Sequence, residues 1–196
     1  ETSLTKMVNL LNESPSVCLS SLDPNQTALI IVDMVNGFVK MGPMSSPRIQ
    51  TIIDPICDLL KRANDSQIDV VAFADCHQTD SIEFNSYPAH CIKGEVESEI
   101  IDEIKQAGPY HLIEKSSTNG FLEPTFHQWL ENHPLINQFI IVGDCTDICV
   151  EQFAITLKTY FITQNKISRI IVPMNSVETY DYDVHAADFM NVIALY

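Results

Sequence analysis

A chain of 196 residues with 26 acidic against 11 basic side chains, a formal charge of −15, is long enough to bury one hydrophobic core and too acidic to suit a polyanion partner. That balance excludes nucleic acid and an anionic membrane surface as expected partners and points to a small-molecule substrate, leaving room for a homo-oligomer. The six cysteines (Cys18, Cys57, Cys76, Cys91, Cys145, Cys149) contain no C-x-x-C pair and read as reduced thiols of a cytoplasmic protein. No apolar run reaches membrane-span length, and the segment Glu1-Thr-Ser-Leu-Thr-Lys6 lacks the basic and apolar regions of a signal peptide.

Residues 1–26 read as a polar lead-in with a short helix around Lys6–Asn12, and residues 27–196 as a single domain. Thr27-Ala-Leu-Ile-Ile-Val-Asp33 is a continuous apolar run, the pattern of a strand buried on both faces of a parallel sheet, and it delivers Asp33 to its carboxyl end. Asp33 is a candidate acid or base there, with a loop or helix-capping aspartate as the competing reading. Phe38 follows in the same loop as a crevice wall or a core residue. The spacing of Ile52, Ile56, Leu59, Leu60 and Ala63 predicts a helix over 51–64.

Asp69-Val-Val-Ala-Phe-Ala-Asp75 repeats the buried-strand pattern and again ends in aspartate. The loop after it holds His77, Glu83, Tyr87 and His90. Two imidazoles and two carboxylates after one strand make a credible site for a divalent transition metal, and Asp-x-His puts both side chains on one side of an extended segment. Each histidine alone would more often be a surface or core residue. Val96, Ile100, Ile101 and Ile104 predict a helix over 96–106, closed by Gly108-Pro109. Tyr110–Lys115 reads as a third strand that brings Lys115 to the same edge, where a lysine is commonly just solvated. A turn over 116–120, a short helix over 125–132 carrying Trp129, a strand over 167–172 and a last helix over 183–195 with Ala186, Phe189, Met190 and Ile193 inward complete the chain.

Between them lies Ile140-Ile-Val-Gly-Asp-Cys-Thr-Asp-Ile-Cys149, a β-branched run, a polar turn and then a helical pattern of Val150, Phe153, Ala154, Leu157 and Phe161. Cys149 falls in the first turn of that helix, where free N–H groups and the helix dipole favour a thiolate. A buried structural cysteine is the plainer alternative. Alternating strands and helices predict an α/β fold, three layers with a mostly parallel central sheet. Its strand ends would bring Asp33, Lys115 and Cys149 into one crevice, an acid, a base and a nucleophile, with the lysine lowering the thiol pKa and the aspartate carrying a proton to a leaving amine.

The motifs Val32-Asp33-Met-Val-Asn-Gly-Phe38, Asp75-Cys-His77, Tyr87-Pro-Ala-His90-Cys91, Glu114-Lys115-Ser-Ser-Thr-Asn-Gly-Phe121 and Gly143-Asp-Cys-Thr-Asp-Ile-Cys149 together resemble the isochorismatase-like cysteine hydrolases, and within them the nicotinamidase branch. The resemblance covers about residues 27–195. It implies a catalytic triad of Asp33, Lys115 and Cys149, one divalent metal (zinc first, iron or manganese as alternatives) on Asp75, His77 and His90 with Glu83 as a further ligand, and an aromatic clamp of Phe38 and Tyr87. It also implies a cis Asp144–Cys145 peptide bond and an oxyanion hole from the N–H groups of Cys145 and Cys149, with Cys145 where alanine is usual. The implied reaction is hydrolysis of nicotinamide to nicotinate and ammonia, with pyrazinamide-like analogues as further substrates. The alternatives are a relative acting on another small amide, such as a carbamoyl or ureido compound, and a non-catalytic metal or redox-sensing protein using Cys145 and Cys149.

Overall fold

The computed structural model describes residues 2–196. Its strands are β1 (Thr27–Val32), β2 (Asp69–Asp75), β3 (His111–Lys115), β4 (Gln138–Asp144), β5 (Arg169–Ile171) and β6 (Val177–Glu178). Its helices are α1 (Ser3–Asn12), α2 (Asn36–Val39), α3 (Ile53–Asp65), α4 (Asp102–Ala107), α5 (Pro124–Asn132), α6 (Glu151–Thr163) and α7 (Ala187–Leu195). The sheet order is β3-β2-β1-β4-β5, every pairing parallel, with β6 alongside the end of β4. Chain order therefore reverses between β1 and β4, and in such sheets the ligand crevice opens outside the carboxyl ends of the strands at that reversal.

Alternation along the strands sets the two cores. Leu29 and Ile31 of β1, Ala72 and Ala74 of β2 and Val142 of β4 face Ile56, Leu60 and Ala63 of α3. Ala28 and Ile30, Val71 and Phe73, and Phe139 and Ile141 face the other way, onto Phe126 and Trp129 of α5 and Phe153, Leu157 and Phe161 of α6. Strands buried on both faces have no polar side to show, which is why they read as unbroken apolar runs. Each fully buried Leu, Ile or Phe contributes about 1.5–3 kcal/mol of transfer free energy, so these two layers hold the sheet rigid beneath the crevice.

Gly143, one residue before the end of β4, has φ 114°, and a Cβ there would stand 2.0 Å from the Val32 carbonyl oxygen of β1. Only glycine lets β4 press this close to β1 at the point where the order reverses.

The predicted helix over 96–106 is corrected. A 3₁₀ turn at Val96–Ser98 and the six-residue α4 flank an extended stretch. That stretch is bound to the loop after β1: the Asn36 N–H donates to Glu99 O at 2.9 Å, the Ile101 N–H donates to Met34 O at 3.0 Å, and Val35 and Ile100 form a bridge. Ile100 and Ile101 are buried by this strapping rather than by a helical face. The last helix is corrected too, since it starts at Ala187 and leaves Phe189 and Ile193 49 % and 45 % exposed. Residues 182–185 instead form a tight turn in which Tyr182 and His185 exchange both backbone hydrogen bonds, with Asp183 at φ 48°. The helical pattern after β4 is preceded by a π-helical turn, Thr146–Val150, and this turn carries Cys149.

Candidate active site

Four strands supply the site at their carboxyl ends. Asp33 follows β1, Asp75 ends β2, Lys115 ends β3, and Cys149 lies in the turn after β4. Asp33 leaves the strand at φ 54° while its N–H still donates to Phe73 O of β2 at 3.1 Å, so the chain turns sharply with the side chain wholly buried. The Lys115 ammonium lies 2.8 Å from Asp33 Oδ2, 2.7 Å from Asp75 Oδ1, 3.0 Å from the Ser117 carbonyl and 3.8 Å from Cys149 Sγ. Its three protons are taken by Asp75 Oδ1, the Ser117 carbonyl and Cys149 Sγ, and its one charge is shared with the Asp33 carboxyl beside it.

Burial opposes every charge here, and neighbours decide which survive. Burial alone would lower the Lys115 ammonium, but Asp33, Cys149 and Asp75 hold it well above its ordinary value, so it stays charged. Burial pushes the Asp33 carboxyl up to about 6 against the pull of Lys115, with Asp75 adding repulsion. Asp75 is buried as well, yet the Lys115 ammonium and then the His77 and His90 rings hold it well below the usual carboxylate range. Cys149 departs from the expected low-pKa thiol. Lys115 does pull it down, but burial outweighs that pull, and Asp33, Asp75 and Asp144 add to the rise. Cys149 is 8 % exposed and its thiol rests protonated, with the Asp33 carboxyl within hydrogen-bond reach.

Asp75 uses its other oxygen on the histidines. His77 Nε2 lies 2.8 Å and His90 Nε2 3.1 Å from Asp75 Oδ2. His90 Nδ1 lies 2.7 Å from the Pro88 carbonyl, and an N–H there donating to it leaves Nε2 with its lone pair facing the carboxylate. One carboxylate oxygen facing two imidazole nitrogens is a donor set that a divalent cation would suit. Candidate ligand atoms of Asp75, His77 and His90 all lie within 4.8 Å of one another, and two imidazoles with a carboxylate suit zinc, iron or manganese. Glu83 stands just outside this set, its Oε1 3.8 Å from His77 Nε2.

Above these groups is a cavity of about 610 Å³, into which Phe38, Tyr87, His90, Cys145 and Cys149 all face. The Phe38 ring centre lies 5.6 Å and the Tyr87 ring centre 6.3 Å from that of His90, and both rings line the cavity. The Asp144–Cys145 peptide bond is cis.

Sequence reasoning passed over several residues in and around the site. Phe84 packs edge-on to both His77 and His90, at 5.4 and 5.6 Å, and was hidden among ligand candidates in its loop. Asp144 read only as the end of a β-branched run and one side of the cis bond, yet it is wholly buried, neither carboxylate oxygen has a hydrogen-bond partner, and burial with the charges of Asp33 and Asp75 pushes it well above the ordinary carboxylate range. Tyr180 and Asp181 also line the cavity. Only the run Tyr180-Asp-Tyr-Asp183, aromatic and acidic without apolar period, marks that segment as something other than filler.

The isochorismatase domain profile matches residues 27–159. Nicotinamidase 1 of Arabidopsis thaliana is 29 % identical over 182 residues, 83 % of this chain and 73 % of that protein. Among solved structures, N-carbamoylsarcosine amidase from Thermoplasma acidophilum is similar at 29 % identity and TM-score 0.69, covering 81 % of this chain and 87 % of that one. The pyrazinamidase of Pyrococcus horikoshii in complex with zinc superposes with TM-score 0.71 at 19 % identity over 87 % of this chain and 92 % of that one. No helix among the described residues is long and apolar enough to cross a membrane.

Proposed function

The chain belongs to the isochorismatase domain family, and from that premise we propose that it is a nicotinamidase, a cysteine amidohydrolase that cleaves nicotinamide to nicotinate and ammonia through a thioester on Cys149, within NAD salvage. The observation that carries the reading is Asp75 joining both halves of the site, one oxygen on the Lys115 ammonium and the other between two histidines.

In this mechanism Asp33 takes the Cys149 proton as Sγ attacks the amide carbon, and the carbon–sulfur bond forms. The N–H groups of Cys145 and Cys149 receive the oxyanion. Asp33 passes its proton to the amide nitrogen, the carbon–nitrogen bond breaks and ammonia leaves. Asp33 then takes a proton from water, whose oxygen attacks the thioester, and the carbon–sulfur bond breaks to return the thiol with that proton. Lys115 keeps the pocket's charge balanced while Asp33 alternates between its two states. Phe38 and Tyr87 hold the ring between their faces.

Asp75, His77 and His90, with Glu83 close by, would hold the divalent ion, for which zinc is the first choice. When bound, such an ion supplies a Lewis-acid position that orients the pyridine nitrogen, directly or through water.

The charge of the wall supports a neutral substrate. Asp75, Glu83 and Asp181 line the cavity beside a protonated Asp144, and no lysine or arginine does among the described residues. An amide bearing its own carboxylate, as carbamoylsarcosine does, would find no lysine or arginine in the lining to pair with it. Nicotinamide and pyrazinamide-like amides carry no such group.

Ammonia release from nicotinamide by the purified protein, with and without chelation and metal add-back and alongside Cys149→Ala, tests the reading. Metal-dependent release lost in the variant supports it. Release from a different amide only would leave the nucleophile standing and sink the substrate assignment.

A further inference from the structure

The cavity is larger than a single pyridine amide requires, since volumes of about 300–1,000 Å³ accommodate drug-sized ligands. Its outer wall is built by a segment beyond residue 159, where the family profile ends. Tyr180 lies in that wall, its ring stacked face to face on His185 with centres 4.1 Å apart and planes 5° from parallel. His185 is itself fixed at both nitrogens, Nδ1 2.8 Å from the Tyr180 carbonyl and Nε2 2.8 Å from Asp147 Oδ2. Asp147 belongs to the π-helical turn that carries Cys149.

The next residue is held from the opposite side. Asp181 accepts from the Ala187 N–H at 2.8 Å and pairs with Arg48 at 3.3 Å, while Arg48 also reaches Glu178 at 3.2 Å and Asp188 at 2.6 Å. A ring pinned by its own carbonyl, a stacked imidazole and an anchored neighbour loses little freedom on meeting a ligand. Rigid aromatic faces of this kind select planar partners at low entropic cost. Burial, then the nearby Cys145 and Asp147, push the Tyr180 hydroxyl up.

We propose that Tyr180, clamped by His185 and Asp147 to the turn that bears Cys149, is a substrate-contacting wall that makes the cavity prefer planar aromatic amides over aliphatic ones. The proposal rests on Cys149 being the reactive group of this cavity, and it deepens the reading above by naming what excludes other amides. His185 and Asp147 act through Tyr180 and are positioning residues.

The test is the rate of Cys149 alkylation by N-phenyliodoacetamide relative to iodoacetamide, followed by peptide mass spectrometry, in the wild type, Tyr180→Ala, Tyr180→Phe and His185→Ala. The wild type is expected to favour the phenyl reagent, and Tyr180→Ala to lose about fivefold of that ratio, the scale of one aromatic contact. Tyr180→Phe keeps the ratio within about twofold because the ring face remains, and His185→Ala falls between. The KM for nicotinamide should rise with the same order across the variants while kcat stays within about twofold, the pattern of a lost binding contact. No aromatic preference in the wild type, or an unchanged ratio in Tyr180→Ala, overturns the wall whether or not nicotinamide is hydrolysed. A preserved ratio pattern without ammonia release leaves the wall standing and overturns the nicotinamidase reading. Absence of labelling at Cys149 overturns both.

Discussion

Asp75 accepts from the Lys115 ammonium at 2.7 Å, so one buried carboxylate belongs both to the neighbourhood of the nucleophile and to the histidine pair. Removing it should therefore do two separable things. Asp75→Ala leaves a fully buried ammonium one carboxylate short, a loss of about 3–5 kcal/mol in unfolding free energy by urea denaturation. His90→Ala spares Lys115 and should cost far less stability. Metal analysis should show both variants losing the bound ion and the wild type retaining one per chain. Equal stability losses in the two would mean that Asp75 does not carry the lysine.

The pH profile follows from which groups rest protonated. Cys149 holds its proton, so the proposed mechanism needs Asp33 as a carboxylate to receive it. With Asp33 pushed up to about 6, kcat/KM should fall tenfold per unit below that pH and level off above it. Asp33→Asn has no base to offer and should lose the acid limb together with at least about 100-fold of the rate. An acid limb that persists unchanged in Asp33→Asn would assign it to another group.

Gly143 is a test of the fold rather than of the chemistry. A methyl group there would meet the Val32 carbonyl at 2.0 Å, and the φ of 114° is itself unfavourable for alanine. Gly143→Ala should force β4 from β1 at the crevice and destabilise the protein by more than about 3 kcal/mol, beyond the range of ordinary surface changes. Thermal melting of the variant checks this directly.

What could be read from the chain was what local chemistry alone determines. β1, β2 and β4 announce themselves because strands buried on both faces are apolar throughout, and Asp33 and Asp75 stand out as the first charges after such runs. The stretch over 96–106 misled because isoleucines that face the first loop from an extended strap happen to fall at helical spacing. β6, two residues long, leaves no pattern. Tyr180 and His185 gain their meaning only when the carboxyl-terminal segment folds back against the turn of Cys149, a long-range contact that no local period records. The height of the Cys149 thiol pKa was hidden for the same reason: proximity to lysine is legible in strand ends, but the depth of burial that overrides it is not.

Asp144 is the buried carboxyl that the proposed reaction leaves unused, and it sets a stability prediction of definite sign. Its oxygens have no hydrogen-bond partner and Lys115 has none of its protons to spare, so the folded protein keeps Asp144 protonated. Burial, then the charge of Asp33, raise the folded value well above the ordinary one, and the unfolded chain releases the proton at ordinary carboxylate pH. Between those two values the folded state binds more protons than the unfolded state, so stability falls as pH rises through that window. Asp144→Asn removes the titration while keeping the shape. The variant should gain stability over the wild type at neutral pH, by about 1.4 kcal/mol for each pH unit above the ordinary carboxylate value over which the folded wild type keeps its proton. The two should converge only below the ordinary carboxylate range, near about pH 3, where both states of the wild type hold the proton. Urea midpoints at pH 4, 6 and 8 for both proteins decide it, and a difference that is flat with pH would show that Asp144 does not titrate between the two states.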